Sequence, residues 1–215
     1  MFASAEAERL TRVFAGEGRA TIEALTELDG ELRLPMSDSV THEVAHVRLG
    51  WWREELARLA AGSPLHPLTR RLREGGGAPV EWRRLEARVA AAERALAGLK
   101  PRTDAEALAD CADSHGSLWA VACQLLAGAA LPTAGEYGAA LGTAIGLVAG
   151  AAPEHRHLAA DALARADALA DARTPAAARV ARALTFAPPA RAPHPFVQLW
   201  IGWRAARRAT LESRE

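Results

Sequence analysis

Residues 38–68 read DSVTHEVAHVRLGWWREELARLAAGSPLHPL, and the fold turns on this stretch. Val40, Val44, Val47, Trp51, Leu56 and Leu59 recur at helical spacing with charged side chains between them. The spacing predicts one long helix ending at Gly62, with Ser37, Asp38 and Ser39 as N-cap candidates. SPLHPL then supplies a turn and a fresh helix start at Pro64 or Pro67, and the next helix stops at the glycine run 75–77.

The same period extends outward in both directions. Upstream, residues 3–14 (Leu10, Val13, Phe14) and 18–33 (Ile22, Leu25, Leu28, Leu32) predict two helices joined at Gly16–Gly18, the second stopped by Pro35. Downstream, helices are expected over 80–99, 103–127, 134–151, 154–171, 175–185 and 195–211, the last carrying Trp200 and Trp203. Thr103 and Glu106 have the spacing of a capping box. Alanine and leucine dominate the apolar residues and Phe and Tyr together number only five, which favours helix over strand. The expectation is an all-α fold of nine or ten helices, with residues 1–215 as a single domain.

Net charge is zero, but it alternates in blocks. Residues 1–47 carry 4 basic and 9 acidic side chains, 48–102 carry 12 and 6, 103–171 carry 2 and 9, and 172–215 carry 8 and 2. One lysine among 26 basic residues and no net positive charge argue against a nucleic-acid partner. The basic blocks suit solvated helix faces, an anionic membrane surface or a diphosphate. Cys111 and Cys123 stand twelve apart on one expected helix, about 18 Å along its axis, too far for a disulfide. They read as buried thiols in a reducing compartment. Acidic residues occupy the N-terminal stretch where a secretory signal carries basic ones, and the apolar segment 138–152 is too short to span a bilayer. A cytoplasmic location is expected, with peripheral contact to the inner membrane left open.

No phosphate-binding glycine loop, dinucleotide fingerprint or nucleophile elbow occurs. His155 and His157 are two apart and are expected to face different ways. His42-Glu43-Val44-Ala45-His46 has the H-E-x-x-H spacing of zinc hydrolases, with no third ligand identifiable downstream; a helix surface with two histidines is the plainer alternative.

The segment RLGWWREEL followed by GSPLHP resembles the squalene/phytoene synthase family, in which an Arg-Leu-x-Trp-Trp-Arg-x-x-Leu helix precedes a Gly-x-Pro-x-His-Pro turn. ATIEALTELDGELR (20–33) looks like that family's first metal-binding helix, and DAEALADCADSHGSLWAVACQLLAG (104–128) looks like its Tyr-Ala-x-x-x-Ala-Gly-Ser helix. The resemblance implies a shortened, isoprenoid-synthase-like helical bundle.

It also implies two sets of aspartates holding Mg²⁺ against prenyl diphosphates, because a leaving pyrophosphate must be neutralised. Here the sequence departs. Glu27 and Glu31 stand a helical turn apart on the first of these helices, a metal candidate or merely a solvated acidic face. The second helix, YGAALGTAIGLVAGAAPEHRH, has no acid between Glu136 and Glu154. Arg48, Trp52 and Arg53 fit the family pattern for binding a diphosphate and lining an apolar cavity; the plainer alternative puts Trp51 in the core and pairs Arg53 with an acid. The expected function is thus a degenerate member without prenyl transfer, similar to the noncatalytic relatives in complex I assembly, binding a lipid, a prenyl diphosphate or a protein partner. An active Mg²⁺-dependent prenyltransferase and a zinc hydrolase are the alternatives.

Overall fold

A computed structural model describes residues 1–37, 39–75, 79–128, 131–171, 173–186 and 195–212, with side chains undescribed at 195, 196 and 208–212. Every regular element among these residues is helical. In chain order they are α1 (Ala5–Phe14), α2 (Arg19–Arg33), α3 (His42–Ala60), α4 (Pro67–Glu74), α5 (Arg84–Leu96), α6 (Asp104–Cys111), α7 (Ser117–Ala127), α8 (Ala134–Ala149), α9 (Leu158–Leu169), α10 (Ala176–Thr185) and α11 (Pro195–Glu212). Single 3₁₀ turns precede α2, follow it, and precede α9.

Helix ends follow local chemistry. Ser4 caps α1 by accepting from the Ala7 amide at 3.1 Å. At Thr103–Glu106, Thr103 Oγ1 accepts from the Glu106 amide at 3.2 Å, and the Glu106 carboxylate accepts from the amide of Arg102, one residue before the cap, at 2.7 Å. Gly62, at φ +87°, ends α3, and the Ser63 amide reaches back to the Arg58 carbonyl at 2.9 Å. The cap of α3 is Thr41; of the residues expected there, Asp38 lies outside the described residues.

Two expectations change. The buried stripe of α3 is Ala45, Leu49, Trp52, Leu56 and Leu59, while Val44, Val47 and Trp51 are 56, 74 and 40% exposed. Two apolar stripes about 100° apart run along this helix, and the one with more leucine and the Trp52 ring turns inward because it buries more area. The helix expected over 103–127 is interrupted: residues 112–116 form one π turn between α6 and α7.

One core runs from Met1 to Ala181, with Trp52, Trp119 and Tyr137 as its largest fully buried side chains. The Trp119 indole donates to the Met1 carbonyl at 3.0 Å and meets Phe2 edge-on at 5.3 Å. α8 crosses α7 and the π turn on a stripe of Gly138, Gly142 and Gly146. A Cβ on Gly138 would collide with the Trp119 carbonyl, and one on Gly142 would stand 2.5 Å from the His115 carbonyl oxygen. Backbones therefore touch along this seam, which only glycine permits.

Candidate functional site

The RLGWWREEL–GSPLHP signature builds a corner. Glu55, fully buried, accepts from the Leu65 and His66 amides at 2.9 and 2.8 Å and from the Thr69 hydroxyl, and Arg58 donates to its other oxygen at 2.9 Å. Burial by itself pushes this carboxyl up; the Thr69, His66, Arg58 and Leu65 hydrogen bonds outweigh it and hold it below the ordinary glutamate value. His66 Nδ1 caps α4 through the Leu68 amide at 3.2 Å, and its ring packs edge-on against Trp51 and Trp52.

The remaining carboxylates of α2 are engaged by cations. Glu31 pairs with Arg48 of α3, Glu27 with Arg71 of α4, and Arg53 with Glu93 of α5. Asp29 is buried and meets Arg88 at 2.9 Å, Arg33 at 2.6 Å and the Met1 amino group. Burial raises its pKa, but these three cations prevail and hold it well below the usual carboxylate range. Of the residues expected at a site, Arg48 and Glu31 are thus brought together, Glu27 and Arg53 are paired with residues of other helices, and Trp52 belongs to the core. His42 and His46 stand with their Nε2 atoms 3.0 Å apart on the exposed side of α3, and among the described residues no group of three histidine, cysteine or acidic side chains is arranged to hold a metal ion.

A cavity of about 460 Å³ opens elsewhere, between the loop after α5, α6, the π turn and the end of α8. Its volume falls within the range of small-molecule sites. Ala107, Cys111, Gly146, Gly150 and Ala151 make its apolar wall. Lys100, Ser114, His115 and His155 bring polar groups to it, together with Asp110 and Glu154. Gly146 and the C-cap Gly150 lie one turn apart at the end of α8, the helix that the family resemblance would make the second metal-binding one. A Cβ on Gly146 would stand 2.9 Å from His115 Nδ1, so glycine leaves room for the ring; a Cβ on Gly150 would make only ordinary contact, 3.6 Å from the Gly146 carbonyl.

The polar groups differ in their readiness. His155, buried, shares its Nδ1 with Asp104 Oδ1 at 2.8 Å, which fixes the ring and leaves Nε2 for another partner. His157 reaches the other oxygen of Asp104 at 3.2 Å, so these two histidines converge on one carboxylate rather than diverging. The His155 hydrogen bond, with lesser help from His157, holds Asp104 below its ordinary value. His115 hydrogen-bonds Ser114 at 3.1 Å; burial, reinforced by the Met1 amino group, pushes its pKa down to about 3, so the ring is neutral at physiological pH. Burial, with Asp110 adding to it, pushes the Cys111 thiol up to about 11, which removes it as a nucleophile. Asp110 is bound by Arg94 at 2.9 Å. The arrangement is suited to holding an apolar body with a hydrogen-bonding end.

Sequence reading missed this cavity. Two signals pointed to it: glycines every four residues along 138–150, and the adjacent His-Arg-His triplet. Neither names a chemistry by itself, and His155 finds Asp104 only across 51 residues of chain. No protein-family model, curated protein or solved structure matches this chain.

Proposed function

We propose that the protein is a noncatalytic helical binding protein of the squalene/phytoene synthase type, holding a small lipid in the cavity beside α6 and α8. The observation that carries this reading is the lack of acid on α8: the chain has none between Glu136 and Glu154, and it is Gly146 and the C-cap Gly150 that face the cavity. On α2, Glu27, Asp29 and Glu31 are already paired with arginines or the Met1 amine. A Mg²⁺–diphosphate cluster needs several carboxylates free to bind metal in one place, and these residues do not fit one. A site with an apolar wall and a few polar groups suits the hydrocarbon part and hydroxyl of a prenyl alcohol or comparable lipid. A cytoplasmic placement with peripheral contact to the inner membrane belongs to the same reading. Among the described residues no helix is long and apolar enough to cross a membrane.

The test has two arms. Incubated with farnesyl diphosphate and Mg²⁺, the protein is expected to release no pyrophosphate above the blank; release that disappears in Glu31→Ala would restore the prenyltransferase alternative. Titrated with farnesol, it is expected to bind, and Gly150→Phe, which fills the cavity without a backbone clash, is expected to weaken binding at least tenfold while leaving the Tm unchanged. Equal binding by both proteins would remove the cavity from the account.

A further inference from the structure

α11 is attached to the rest of the molecule along one side only. Gly202 faces the Phe14 ring closely, and the Arg179 guanidinium donates to the Ala205 and Ala206 carbonyls at 3.0 and 2.9 Å. Gly202, Ala205 and Ala206 lie together on that side of the helix.

At 100° per residue, Leu199, Trp203, Arg207, Trp200 and Arg204 fill one continuous arc of about 140° on the opposite side. All five are exposed; Trp200 is 53% and Trp203 47% accessible. Arg204 lies over the Trp200 ring with 5.2 Å to its centroid, and Arg207 over Trp203 at 5.0 Å. The face thus presents two indole–guanidinium rungs, one helical turn apart, beside a leucine. It belongs to a strongly basic block of the chain, with 8 basic and 2 acidic residues over 172–215.

We infer that this face of α11 is a docking surface for an anionic lipid bilayer, with the helix lying along the interface. Each element has a physical role there. Indole rings prefer the zone between headgroups and acyl chains, where the ring is half-apolar and its N–H still finds water. Guanidinium groups bind lipid phosphates as forked donors, and their stacking on the indoles carries the positive charge to the depth of the rings. Leucine adds apolar burial, and the positive block is drawn to a negatively charged leaflet. A nucleic-acid surface would call for a broader positive field than a chain of zero net charge supplies. The inference gives the membrane contact of the proposed function a location, but it rests on α11 and not on the cavity.

Flotation with vesicles measures it. The full-length protein is expected to float with phosphatidylcholine vesicles containing 30% phosphatidylglycerol at low salt, to float far less with pure phosphatidylcholine, and to have its tryptophan fluorescence quenched by brominated acyl chains. Trp200→Ala/Trp203→Ala and, separately, Arg204→Glu are each expected to lower the bound fraction at least fivefold with the circular dichroism spectrum and Tm unchanged. Gly150→Phe is expected to bind vesicles like the parent, so loss of the cavity reading and loss of this one are separable. No binding to anionic vesicles, undiminished binding by the folded double variant, or equal binding to neutral vesicles would overturn the inference. So would tight binding to single-stranded RNA without binding to vesicles.

Discussion

The α3–α4 corner and the α6–α8 cavity use polar groups in opposite ways. At the corner the polar groups serve the fold itself: both oxygens of Glu55 are taken, His66 caps a helix, and the indoles of Trp51 and Trp52 pack on its ring. At the cavity, polar groups are positioned but left with capacity. His155 is held by Asp104 through one nitrogen, His115 is kept neutral beside Ser114, and glycines leave the space open. The lesson is that the strongest sequence signature of the chain encodes architecture, while the room for a ligand lies where the sequence is plainest.

The contrast is broken most sharply at Glu55. Glu55→Ala would take the shared acceptor from the Leu65 and His66 amides, leave the Thr69 hydroxyl only the His66 carbonyl and strip Arg58 of a partner, a loss of about 3–5 kcal/mol in urea denaturation. A loss below about 1 kcal/mol would show that the corner is not fastened by this carboxylate. The cavity gives a medium effect, read in pH. The folded His115 value lies below its unfolded one, so between about pH 6.5 and about 3 the unfolded chain binds the extra proton. Stability from this residue is complete above the upper limit and falls with acid by at most about 1.4 kcal/mol per pH unit. His115→Gln should flatten the pH 7 to 5 slope of the denaturation midpoint; superimposable slopes would mean the ring is solvated in the fold. The smallest effect is expected at the surface, where Glu27 and Arg71 are each more than half exposed. Glu27→Gln should alter stability by less than about 0.5 kcal/mol, and a larger loss would give this pair a structural role like that of Glu55.

What was legible in the sequence was what is local. The capping box at Thr103 and Glu106 and the stops at Gly62 and Gly75 involve neighbours within a few residues, and the helices form where the periodicity puts them. The inward face of α3 was not legible because two apolar stripes satisfy the same spacing and only tertiary packing chooses between them. The partners of Glu27, Glu31 and Arg53 come from other helices, 44, 17 and 40 residues away, and no pattern in sequence states such pairings. The π turn was hidden for a different reason: it widens one turn of an otherwise continuous helical pattern without changing the composition.

Lys100 is the one lysine of the chain, and it lies at the cavity. The amino group of Met1 is buried against Asp29. Within residues 1–215 an amine-reactive fluorophore therefore has Lys100 as its accessible address, and its emission would report directly on what enters or leaves the space beside it.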